Sequence, residues 1–67
     1  MMIVAKRHDS DCFRLLEDGV IVGFALRLTN GKWVMTDTKD RHMDSIHYES
    51  PNEVAKCFST VRLLVTK

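Results

Sequence analysis

Apolar and polar positions alternate in short runs as far as Tyr48, and from Ser50 onward they recur at helical spacing. Met2–Lys6 and Phe13–Glu17 are β-compatible runs separated by the turn formers His8-Asp9-Ser10-Asp11, which predicts a first hairpin. Asp18-Gly19 divides Leu15-Leu16-Glu17 from Val20-Ile21-Val22 and supplies the positive φ values of a two-residue type I′ turn, so a second hairpin follows directly. Val20–Thr29 then runs to Asn30-Gly31, the strongest turn signal in the chain, ahead of Lys32-Trp33-Val34-Met35-Thr36. A two-residue loop there pairs Thr29 with Lys32, Leu28 with Trp33, Arg27 with Val34 and Leu26 with Met35. Beyond the polar loop Thr38-Lys39-Asp40-Arg41, Met43–Tyr48 is expected to return beside the Trp33 strand, with Ile46 opposite Trp33 and Asp44 opposite Met35.

The last element opens on Ser50-Pro51-Asn52-Glu53, with Ser as N-cap, Pro at the first helical position and Glu closing a capping box. Val54, Phe58, Val61 and Val65 recur down one helical stripe, with Cys57 and Leu64 alongside. Thr60–Thr66 is β-branched enough to form a further strand after a shorter helix. The pattern predicts a single α+β domain over residues 1–67, an antiparallel β-meander of about five strands followed by one C-terminal helix packed on one face of the sheet.

In these registers Val4, Phe13, Leu15, Val22, Phe24, Leu26, Leu28, Trp33, Met35, Ile46 and Tyr48 share the face that the helix covers. The opposite face carries Ile3, Ala5, Leu16, Ile21, Ala25, Val34 and Met43, interleaved with Arg14 and Arg27. One helix covers only one face. A bare apolar row of Ile3, Leu16 and Ile21 is rare on a soluble monomer, so the expected interaction surface is Ile3, Leu16, Ile21, Arg14, Arg27, Val34 and Met43, meeting a protein partner or a second copy of the chain.

Composition sharpens this picture mainly by exclusion. At 67 residues a single core buries only about 60% of the surface that the unfolded chain exposes. Ten basic against nine acidic residues leave a net charge of +1, without the dense positive field of a generic nucleic-acid binder. A local basic cluster of Lys6, Arg7, Arg14 and Arg27 supports a second reading as a small nucleic-acid-associated regulator, although the aromatics map to the buried side. Val20–Leu26 and Leu63–Val65 are far shorter than the roughly 20 residues of a spanning helix, and Lys6-Arg7 closes off the N-terminal apolar run, so a cytoplasmic protein with no membrane partner is expected.

Candidate chemistry is thin. Cys12 and Cys57 lack the spacing of a redox motif or zinc knuckle and are expected to be reduced. His8, Asp9, Asp11 and Cys12 share one turn, with His42 and His47 elsewhere, at no metal-ligand spacing. No nucleophile and base are placed together by the sequence, and a chain of this length has little volume for a ligand pocket. Gly19, Gly23 and Gly31 are isolated and form no phosphate loop; Gly23, inside a strand, marks a bulge or bend. No catalytic activity, cofactor, metal or small-molecule substrate is therefore expected. In size and texture the chain resembles the short accessory proteins of phages, prophages and other mobile elements, a resemblance of kind that implies binding to and inhibiting a host protein.

Overall fold

The computed structural model describes residues 2–65. Four antiparallel strands, β1 (Ile3–Asp9), β2 (Cys12–Glu17), β3 (Val20–Arg27) and β4 (Trp33–Thr36), form a meander in the order β1-β2-β3-β4, and the helix α1 (Pro51–Val65) follows. The α+β architecture is the expected one, with one strand fewer.

The turns set the registers. Asp18 and Gly19 have φ of 53° and 82°, the type I′ geometry that Asp-Gly predicts. Asn30-Gly31 behaves differently. The Gly31 N–H donates to the Leu28 carbonyl at 3.0 Å, the Leu28 N–H donates to the Lys32 carbonyl at 2.7 Å, and Gly31 has φ of 86° while Asn30 does not enter the positive region. This is a three-residue loop, a turn followed by a left-handed glycine. Asn30 Oδ1 accepts from the Lys32 N–H at 2.9 Å, so the asparagine serves the loop through its side chain.

The expected β3–β4 pairing is therefore off by one residue: Arg27 faces Trp33, Leu26 faces Val34 and Ala25 faces Met35. An independent irregularity in β3 has the matching effect on its other edge. Leu16 pairs with Ile21 but Leu15 with Gly23, so Val22 is bulged, as a glycine inside a strand suggests. The bulge turns Gly23–Arg27 over relative to the expected alternation, and the three-residue loop restores the parity of β4. Trp33 and Met35 are buried as expected, whereas Ala25 replaces Phe24 and Leu26 on the helix side.

A third irregularity lies near His8. Asp9 pairs with Cys12 across a two-residue loop, its Oδ1 accepting from the Asp11 N–H at 2.8 Å, but the register shifts between Arg7 and Asp9. Ala5 then faces Leu15 and Val4 faces Leu16. Ile3 and Ala5 accordingly pack against the core, and Val4 belongs to the opposite face, the reverse of the expected assignment.

The expected fifth strand at Met43–Tyr48 is reduced to two isolated bridges, Thr36 with His42 and Trp33 with Tyr48. Local side-chain bonds compete with the ladder here. Asp37 accepts from the Lys39 and Arg41 amides at 2.9 and 3.0 Å, and Asp44 accepts from the Tyr48 hydroxyl at 2.6 Å and from the Ile46 amide at 3.4 Å. Tyr48, rather than Ile46, faces Trp33, and Ile46 is 54% exposed instead of covered.

Ser50 Oγ caps the helix by accepting from the Glu53 N–H at 3.3 Å. Val54, Phe58 and Val61 are buried on the sheet with Ala55, and the helix continues through the β-branched segment to Val65. Leu64 leaves the stripe and is 68% exposed; the Val65 side chain and Thr66 lie outside the described residues. Arg62 anchors the last turn by a two-pronged bond to the Glu17 carboxylate, at 3.2 Å to each oxygen, with its guanidinium 5.3 Å from the Phe58 ring centre. Phe58 lies directly over Gly23, where an added Cβ would come within 2.7 Å of the ring and 2.5 Å of the Thr36 carbonyl oxygen. Phe13 meets Trp33 edge-on with ring centres 5.4 Å apart. This layer between sheet and helix is the core.

Candidate interaction surface

The face of the sheet away from α1 is built of three rows defined by strand pairing. Val4, Leu16 and Ile21 form the first, across β1, β2 and β3. Lys6, Arg14, Phe24 and Thr36 form the second, and Cys12, Leu26 and Val34 the third. In the first row Val4 is 47% and Ile21 39% exposed, with half-buried Leu16 between them. An apolar row does cross three strands on this face, with Val4 in the place expected for Ile3.

The expected surface residues divide accordingly. Leu16, Ile21 and Arg14 lie on the outer face. Ile3 does not, because the shift near His8 turns it toward the core, and Met43 is half-buried against the same core. Val34 has the expected orientation but is only 3% exposed. Arg27 pairs with Trp33, on the helix-side register, and meets Asp11 at 3.7 Å. Phe24, Leu26 and Val4 are the additions that the expected alternation missed. A bulge at Val22 has Gly23 as its signal in the sequence; the shift near His8 has none.

The basic cluster is likewise split. Lys6 and Arg14 are neighbours on the outer face beside half-buried Phe24, whereas Arg7 pairs with Phe13 on the other side and Arg27 has its own carboxylate. Arg14 Nε is buried with no hydrogen-bond partner among the described residues.

β1 is the free edge of the sheet. Beside it runs a cleft of about 490 Å³ lined by Met2, Ile3, Val4, Ala5, Asn52, Ala55 and Lys56. Three successive strand residues, Ile3 to Ala5, with side chains on alternating faces, line it together with Met2 just before them, so the cleft follows the backbone edge. Its opposite wall is one face of α1, supplied by positions three and four residues after Asn52.

The titratable groups do not assemble a reaction centre. Cys12 and Cys57 are free thiols, Cys12 on the outer face and Cys57 on the helix against the core. Burial pushes the Cys12 thiol above its ordinary value, and the carboxylates of Asp9 and Asp40 push in the same direction. Burial also raises the Tyr48 phenol, assisted by its bond to Asp44. The amide of Arg41 holds the Asp37 carboxyl below its ordinary value. Among the described residues, no three of His, Cys, Asp and Glu come together as a metal site, and no helix is long and apolar enough to cross a membrane. Comparison with protein-family models, curated proteins and solved structures gave no match to the chain.

Proposed function

We propose that the chain is a non-catalytic protein-interaction module that binds its partner through the outer sheet face and the adjoining β1 edge. The observation that carries this reading is the row Val4, Leu16 and Ile21, with Val4 and Ile21 exposed on either side of half-buried Leu16, on the one side of the sheet that has no helix. Burying apolar surface of this kind contributes roughly 25 cal/mol per Å², and the flanking Lys6 and Arg14 supply orientation and specificity. By size and texture the partner is a host protein that the chain inhibits in the host cytoplasm, in the manner of a phage or prophage accessory protein; self-association through the same face is the other form of this proposal. Sedimentation of the wild-type chain and partner binding by Ile21→Glu form the test: a strict monomer whose partner binding survives Ile21→Glu contradicts the proposal.

A second reading, a small nucleic-acid-associated regulator, is favoured by a separate observation. Lys6, Arg14 and Phe24 stand side by side in one outer row, placing two cations beside an aromatic ring. Binding to RNA or DNA that weakens steeply with salt and is abolished by Arg14→Glu supports this reading; partner binding insensitive to salt supports the first.

A further inference from the structure

The cleft beside β1 narrows the class of partner, on the reading that the chain is a protein-binding module. Strand addition at an exposed edge draws its affinity from backbone hydrogen bonds and its selectivity from the surroundings of alternate side chains. Both elements are present here. Ile3 to Ala5 present the unpaired backbone edge, and buried, small Ala55 forms the floor between Asn52 and Lys56 on the helix wall. Charge determines the occupant. Lys56 stands on the wall, and Lys6 and Arg7 continue the strand beyond Ala5; none of the three has a carboxylate partner among the described residues. The charged residues that do pair on this molecule, Arg27, Lys32, Arg41 and Arg62, lie elsewhere.

We propose that this cleft takes an acidic peptide in extended conformation, which adds to β1 as a further strand, sets its carboxylates on the helix side beside Lys56 and Arg7, and lays its alternate, apolar side chains on the outer face beside Val4. A second copy of the chain is a poorer occupant. Antiparallel pairing of β1 with itself about the middle of the strand sets Lys6 against Lys6, and moving the centre by half a residue sets it against Arg7.

The test is a titration of the isotope-labelled full chain with a peptide as long as β1 that alternates glutamate and valine. Its lysine–valine counterpart and two forms N-methylated at odd or at even amides serve as comparisons. The expected result is amide shifts concentrated in residues 3–7 and 52–56, with affinity lower by on the order of tenfold for the lysine peptide, for one of the N-methylated forms and for the Lys56→Glu chain. Equal binding of the lysine peptide, no shift at millimolar peptide, or shifts centred on Leu16 and Ile21 overturns the proposal. Self-association that Arg7→Glu strengthens also overturns it, by assigning the edge to a second copy. The broader reading fails separately: a natural partner lost in Ile21→Glu but retained by Lys56→Glu removes this inference alone, whereas a monomer whose partner binding survives Ile21→Glu removes the reading itself.

Discussion

Gly23→Ala is the substitution most sensitive to how the sheet is registered. A glycine in a strand without positive φ ordinarily gains about 0.4–1 kcal/mol on replacement by alanine, because the unfolded chain loses freedom. Here the new methyl carbon would sit 2.5 Å from the Thr36 carbonyl oxygen and 2.7 Å from Phe58 Cε1. The ring can tilt, but the carbonyl belongs to the strand paired with β3 and moves only with the sheet. Overpacking of this kind costs about 1–3 kcal/mol, so the net expectation is a loss of about 1–2 kcal/mol. A chain of this length has a total stability of roughly 3–10 kcal/mol, and with a urea slope of about 1 kcal/mol per molar the midpoint falls by about 1–2 M. Urea unfolding followed by Trp33 fluorescence measures this. In the register that pairs Leu26 with Met35, Gly23 lies away from Phe58 and alanine would be neutral or stabilising; an unchanged or raised midpoint therefore refutes the bulge at Val22 and the faces derived from it.

Four further outcomes are expected. Phe58→Ala, at a residue 1% exposed, should cost about 3–5 kcal/mol and leave much of the chain unfolded by circular dichroism at room temperature. Ser50→Ala, by removing the acceptor for the Glu53 amide, should lower stability by about 1 kcal/mol in the same urea assay, with little effect on the surface. Leu16→Glu and Ile21→Glu should change stability by no more than about 1 kcal/mol while reducing partner binding, read by calorimetry on the captured complex. The Cys12 thiol and Tyr48 phenol are both raised in the folded chain, so the unfolded chain releases those protons first. The stability linked to them is complete below the ordinary thiol and phenol values, near pH 9 and 10, and falls as pH rises beyond them, with a smaller fall in Tyr48→Phe when unfolding midpoints are compared from neutral to alkaline pH.

The elements that the sequence makes legible are those whose signal is local. The Asp18-Gly19 turn and the Ser50 cap form as their residue types require, and the stripe Val54, Phe58, Val61 is buried where helical spacing puts it. The faces of β3 are less legible because they depend on two compensating irregularities. The bulge at Val22 turns Phe24 and Leu26 outward, and the three-residue loop at Asn30-Gly31 turns β4 back. The expected burial of Trp33 and Met35 thus holds although each expected β3–β4 partner is displaced. Asn-Gly fits either a type I′ turn or a turn closed by a left-handed glycine, and the choice is made by packing, since Phe58 requires Gly23 and Ala25 beneath the helix instead of Phe24 and Leu26. For the surface, Leu16 and Ile21 were legible because they precede the bulge, while Ile3 was exchanged for Val4 by the shift near His8. The cleft beside β1 was not legible at all, because it depends on where α1 crosses the edge of the sheet, which no local pattern encodes.

A protein-interaction module is tested most directly by quantitative capture of partners from cell lysate with three chains: wild type, Ile21→Glu on the outer row, and Thr60→Glu at an exposed helix position remote from it. A specific partner is expected with wild type and Thr60→Glu and not with Ile21→Glu, all three chains being equally folded. Equal capture by all three contradicts the proposal.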